Sequence, residues 1–293
     1  MDRMRFAIRY ETAYRYEEPV TDNLNVLHVT PAATPTQEVE DFRVSVDPEA
    51  RIYRHTDYFG TQVVEFGITR PHEHLTIDVR ARVATAEPPA PPAGGWELLA
   101  RPGYRAPVAE YLLEAPIDAK WSVTLAELRD TARGATPADT ARVLCELIPE
   151  RFEYRPGVTY VGSTVEDLLE GGAGVCQDFA HLGLALLRGL GIAARYVSGY
   201  FYAPPPDDPS AASAEVQTHA WLEALLPAEE GEPRWIGLDP TNRRMAGAEH
   251  VKIGHGRRYD DIPPIKGVYR GGSGSEMEST VRMTRADADG VPA

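Results

Sequence analysis

The 293-residue chain carries 44 acidic against 30 basic residues, a net charge of −14, with 43% hydrophobic and 25% charged residues. That balance suits a soluble globular protein long enough for two domains. Acidity without a basic block argues against nucleic acid or an anionic membrane as partner. Two cysteines, Cys145 and Cys176, supply neither a disulfide framework nor a Cys-x-x-Cys zinc pair. No run approaches the roughly 18 apolar residues of a membrane span, and Met1–Phe6 alternates polar with apolar instead of forming a signal core, so a cytoplasmic location is expected.

Residues 4–86 read as strands. Arg5–Tyr10, Val39–Val46 and Leu75–Val83 alternate in hydrophobicity, with turn signals at Pro31–Pro35, Asp47-Pro48 and Phe59-Gly60 between them. No helical stretch intervenes, which predicts an antiparallel sheet or sandwich with one face buried. Glu87–Gly95 holds four prolines followed by two glycines and can continue neither periodicity, so it reads as a semi-rigid linker.

Beyond it the period changes. Val108–Leu113, Leu125–Ala132 and Ala138–Ile148 have helical spacing, with Thr136-Pro137 as a helix start. Cys145 lies among Val143, Leu144, Leu147 and Ile148 and reads as a small core hydrophobe. A glycine-rich turn at Gly171–Gly174 then runs into a helix whose apolar face is Phe179, Leu182, Leu186 and Leu190. Ile192–Tyr202, Ala220–Leu225 and Trp235–Leu238 are strand-like, with an exposed loop at Pro204–Ser210 and a last strand near Met277–Met283. The layout is α+β, with an N-terminal antiparallel β-sandwich domain at 1–87, a core at 96–270, and a C-terminal strand and tail at 271–293.

Cys176 stands where the glycine turn meets the helix. A free thiol of pKa ~8.5 is only slightly ionised at neutral pH, so a nucleophilic cysteine needs help from a helix N-terminus and a nearby imidazole. His219 begins a strand directly after the proline loop, and Asp239 ends the next strand, where a carboxylate can orient the ring. Thiol, histidine and aspartate at element ends, in that order, read as a papain-like nucleophilic triad. Trp221 shares a strand face with His219 and could wall the site. Gln177 and Tyr200 are further candidates for substrate contact. Tyr154 could donate to an oxyanion beside the Cys176 N–H, or could simply pack.

Gly174-Val175-Cys176-Gln177-Asp178-Phe179-Ala180-His181, Gly191–Tyr200, Thr218-His219-Ala220-Trp221 and Leu238-Asp239-Pro240-Thr241-Asn242 closely resemble the bacterial transglutaminase-like superfamily. The N-terminal segment with Asp57-Tyr58-Phe59-Gly60 looks like the β domain that precedes the core in many of its members. The resemblance spans nearly the whole chain. It implies a papain-like, transglutaminase-like core in which Cys176 is the nucleophile, His219 the general base and acid, and Asp239 the orienting carboxylate. Two blocks depart from the pattern. Gly171-Gly172-Ala173 replaces an arginine-containing turn, and Gly256-Arg257-Arg258-Tyr259 stands where Gly-Arg-Asp-Tyr is usual.

Other constellations are weaker. His72 and His74 share a strand face, but two ligands do not make a zinc site. The glycine run follows a helix and lacks the lysine of a phosphate loop. Ser198-Gly199 precedes no helix and is no nucleophile elbow. Asp178 and His181 read as braces of the helix start. The expectation is therefore a cysteine-dependent acyl transfer on a peptide or protein substrate through a thioester, without metal or cofactor. It leans to hydrolysis, as a peptidase or amidase; amine transfer and an idle peptide-binding module stay open, and oligomeric state is not indicated.

Overall fold

Alternation builds the first third of the chain entirely into strands. The computed structural model describes residues 3–286 other than 161, 206, 207, 209, 210 and 273, so the expected proline loop is described only in part and the tail beyond residue 286 falls outside the described residues. β1 (Arg3–Leu27), β2 (Gln37–Asp47), β3 (Ile52–Thr56), β4 (Gln62–Ile68) and β5 (His72–Ala86) follow without a helix between them. β1, 25 residues long, is the spine. Its first half pairs antiparallel with β5 from Arg3 opposite Ala86 to Arg15 opposite His74; past an irregularity its second half pairs with β4. Phe6, Ile8 and Tyr10 are buried on one face, as a period of two demands.

The helical segment comprises α1 (Pro102–Arg105), α2 (Ser122–Ala132), α3 (Pro137–Arg151), α4 (Val165–Gly171) and α5 (Cys176–Gly189), with the two-residue strands β6 (Glu153–Tyr154) and β7 (Ala173–Gly174) between them. Thr136 starts α3 reciprocally: its hydroxyl accepts from the Asp139 N–H at 3.1 Å and Asp139 accepts the Thr136 N–H at 3.2 Å. Ala141, Leu144, Cys145 and Ile148 form the buried stripe of that helix, and the Cys145 thiol donates to the Arg244 carbonyl at 3.3 Å.

The remaining strands are β8 (Ala194–Phe201), β9 (Ser213–Val216), β10 (Thr218–Leu226), β11 (Arg234–Asp239), β12 (Arg244–Met245), β13 (His250–Gly256), β14 (Ile265–Arg270) and β15 (Ser275–Ala286). The second sheet runs β12-β11-β10-β8-β13 and is antiparallel throughout. Helices cover one of its faces through Leu144, Phe179 and Leu186, which share a core with Leu222 of β10. The first sheet covers the other, where Tyr200, Val251 and Ile253 pack with Phe6 and Tyr10. Each such large side chain contributes about 1.5–3 kcal/mol by leaving water.

Chain order and spatial order differ. β15 pairs with β1 from Arg5 opposite Ala286 to Tyr16 opposite Ser275, β9 pairs with β15, and β14 pairs with the second half of β1. The ladders make one curled eight-stranded sheet around β1, where the sequence reading expected a sandwich confined to the N-terminus. No helix among the described residues is long and apolar enough to cross a membrane.

Candidate active site

Cys176 is the first residue of α5, and the chain before it is fixed from both sides. α4 stops at Gly172, whose φ of +66° lies in the left-handed region that favours glycine. β6 then runs parallel to β7: the Glu153 N–H donates to the Gly172 carbonyl at 3.0 Å, and the Arg155 N–H to the Gly174 carbonyl at 2.9 Å. This bridge sets Tyr154 beside the turn. Asp178, 2% exposed, accepts the Val175 N–H at 2.8 Å and the Thr159 hydroxyl at 2.7 Å. The first N–H groups of α5 lack intrahelical acceptors and give that end positive character.

His219 reaches this helix end from β10, with Gly199 of β8 as its cross-strand neighbour. Gly199 is needed for close packing: a Cβ there would stand 2.2 Å from the Val251 carbonyl and 2.6 Å from the Trp221 ring. His219 Nε2 lies 2.8 Å from Oδ2 of Asp239, the fully buried last residue of β11. Cys176 lines the same cleft wall as His219 and acts on its ring. Nε2 being committed to Asp239, Nδ1 is the nitrogen left for the sulfur. Burial alone would lower the pKa of the ring; the bond to Asp239 and the pull of Cys176 outweigh it and raise it to about 10.

Asp239 has more partners than the triad requires. Oδ2 also accepts from Asn242 Nδ2 at 2.7 Å, and Oδ1 from the Asn242 N–H at 3.2 Å. His250, on β13, stands 3.0 Å from Oδ2 through Nε2. Its Nδ1 accepts the Gly247 N–H at 3.1 Å, which places the proton of the neutral ring on Nε2 and makes His250 a donor to Asp239. Burial holds His250 below its usual pKa against the pull of Asp239. Burial would raise Asp239, but the bonds from His219 and His250 bring it below the carboxylate range.

Cys176, His219, Gln177, Tyr154 and Asn242 line one cleft of about 790 Å³. Tyr154 is 47% exposed, and its ring meets Phe179 edge-on at 6.2 Å. Burial first, then the charge of Cys176, raises its pKa, so the phenol keeps its proton and can donate. Two expected substrate contacts are corrected. Trp221 is 2% exposed and lies behind the histidine, stacked on His219 with centroids 6.0 Å apart, because β10 puts both on one face but the ring continues into the interior. Tyr200 is likewise 2% exposed, since the first sheet covers that part of β8 and Tyr10 meets its ring at 6.3 Å. Neither lines the cleft.

His181 accepts the Tyr259 N–H at 3.1 Å, and burial lowers it to about 4, a neutral brace between α5 and the 259–261 turn. His72 and His74 diverge: His72 is buried against Asn23 at 3.1 Å, whereas His74 is exposed beside Asp47 at 3.1 Å. Sequence reasoning missed His250 and the role of Asn242. The signal for the first was the alternating His250-Val251-Lys252-Ile253 run; for the second it was its place in the Asp239 turn. Among the described residues, His219, Asp239 and His250 are the one cluster with metal-ligating atoms within 4.8 Å of one another. Their separations of 2.8 and 3.0 Å are hydrogen-bond lengths.

Two family profiles match: a bacterial transglutaminase-like N-terminal region over residues 6–84, and the transglutaminase-like superfamily over residues 126–240. An uncharacterised protein of Mycobacterium leprae is 32% identical over 282 residues, which cover 96% of this chain and 99% of that protein. An uncharacterised protein of Mycobacterium tuberculosis is 32% identical over 308 residues, covering 99% and 95%. The crystal structure of a candidate cysteine protease from Cytophaga hutchinsonii superposes with a TM-score of 0.73 at 24% identity, over 100% of this chain and 94% of that one, a likeness of fold.

Proposed function

The chain belongs to the transglutaminase-like superfamily, and from that premise we propose that it is a cysteine-dependent acyl-transfer enzyme that hydrolyses peptide or glutamine amides through a thioester on Cys176. One observation carries the reading. An imidazole bonded to a buried carboxylate shares one cleft with a helix-start sulfur, and the pull of both raises its pKa to about 10. A ring held in this way is placed to take up the proton that the sulfur must lose.

The Cys176 sulfur attacks the amide carbonyl carbon and an S–C bond forms. The oxyanion is stabilised by the unpartnered N–H at the start of α5 and by the Tyr154 hydroxyl, which has no other partner among the described residues. His219 gives its proton to the leaving nitrogen, the C–N bond breaks, and amine or ammonia departs. Water then enters, passes a proton to His219 and attacks the thioester; the C–S bond breaks and the acid leaves. Asp239 keeps the Nε2–H tautomer throughout and offsets the charge of the imidazolium. An amine could take the place of water in the second half of this sequence.

The test is a panel of casein, glutamine-containing peptides and a fluorescent amine, with ammonia release followed alongside. Hydrolysis predicts ammonia or new peptide termini without amine incorporation, and Cys176→Ala removes them. Full activity in purified, folded Cys176→Ala protein would end the proposal.

A further inference from the structure

The reverse side of the second sheet holds another cavity, of about 680 Å³, between β10, β11 and β13 and the 32–37 and 59–62 segments of the first sheet. Its wall carries a charge cluster that the reaction does not use. Glu223 accepts from Arg195 Nε at 2.6 Å and from Lys252 Nζ at 2.8 and 2.7 Å. These side chains are only 13–14% exposed. Two cations against one carboxylate leave one positive charge in a half-closed space. Burial lowers Lys252 to about 8, which still leaves it protonated at neutral pH.

Arg195 lies on the face of Trp235, its guanidinium carbon 4.0 Å from the ring centroid. Its Nη1 is 3.1 Å from His255 Nε2. Arginine can only donate, so the neutral His255 ring carries its proton on Nδ1. Burial, reinforced by Arg195 and Lys252, lowers His255 to about 3 and keeps it neutral.

The unused hydrogen-bonding capacity decides what fits. Arg195 Nη2, the third Lys252 proton and His255 Nδ1–H have no acceptor among the described residues, while both Glu223 oxygens are occupied. Thr61, 3% exposed in the same wall, has a hydroxyl with no partner among the described residues. The spare groups are nearly all donors. Phe59, Trp235 and Ile236 supply apolar sides. An anion matches the excess positive charge of this cluster, to which Arg234 on the same wall adds, and the guanidinium fork matches a carboxylate.

We propose that this cavity binds a small carboxylate with a ring-sized apolar body, the carboxylate on Arg195 and Lys252 and the body against Trp235. The test titrates the full-length protein with sodium benzoate, neutral benzamide and inorganic phosphate at fixed ionic strength, read by calorimetry and tryptophan emission. Benzoate should bind at one saturable site, at least about tenfold more tightly than either benzamide or phosphate. Lys252→Met and Arg195→Lys should each weaken it by about tenfold or more. If Lys252→Met does not fold, Arg195→Lys, which keeps the charge beside Glu223 and loses only the fork, decides alone. Titrations of Cys176→Ala should return the unaltered affinity, so the result stands whatever becomes of the proposed reaction. No saturable binding up to about 10 mM, equal binding of benzamide, tighter binding of phosphate, or unchanged affinity in the variants would overturn the site.

Discussion

Asp239 and Glu223 are both sequestered carboxylates on adjacent strands, each gripped by nitrogen donors, and their partners give them opposite characters. Asp239 faces two imidazoles and an amide. Glu223 faces a guanidinium and an ammonium. His219 shares the cleft wall with Cys176, so what Asp239 does to its ring reaches the reacting sulfur. Arg195 and Lys252 line the other cavity, so Glu223 holds β10, β8 and β13 together without transmitting anything to the sulfur. What a buried carboxylate does thus depends more on its partners than on its depth.

The sharpest way to break this contrast is Asp239→Asn. Losing the charge that raises His219 should cost about a thousandfold or more in kcat. Because His219 is raised to about 10 from its ordinary 6.5, the alkaline limb of the kcat profile should lie near pH 10 in the native enzyme and move down toward 6.5 in the variant. An unmoved limb would detach Asp239 from His219.

Glu223→Gln should act on stability instead, costing about 3 kcal/mol or more because two cations are left without their counterion. Burial would raise Glu223, but Arg195 and Lys252 bring it from 4.5 down to about 2. Its contribution is therefore present above pH 4.5 and lost as pH falls from there toward 2. Urea unfolding of both proteins across that range should show the difference shrinking, while the alkaline limb stays in place.

His250→Phe removes one donor to Asp239 and should lower kcat by about ten- to a hundredfold with KM little changed. His250→Gln, which can still donate, should recover part of the loss. The smallest effect expected is Gly199→Ala, about 1–3 kcal/mol of stability from the clash with the Val251 carbonyl, seen as a lower thermal midpoint.

Much of this was legible in residue order, for physical reasons that differ from place to place. Alternation exposed β1, β2 and β5 because one face of each is buried. Cys176, His219 and Asp239 were readable because their chemistry falls at element ends, and the fold brings them together. β15 was seen as a strand, but its partner was not, because pairing with β1 across nearly the whole chain is set by tertiary contact and no local pattern records it. β13 was overlooked for a related reason: its short alternating run lies among glycines, and His250 went with it. Trp221 and Tyr200 show the limit of periodicity, which tells the face of a strand but not whether that face meets solvent or another sheet.

The most direct test of the thioester route is to quench the enzyme in acid during turnover of an N-acylglutamine nitrophenyl ester and map the adduct by mass spectrometry. The mechanism predicts a hydroxylamine-labile acyl group on Cys176, absent from Cys176→Ala and accumulating when His219 is replaced by glutamine only at a greatly reduced rate. An acyl group on another residue, or turnover by Cys176→Ala at the native rate, would contradict it.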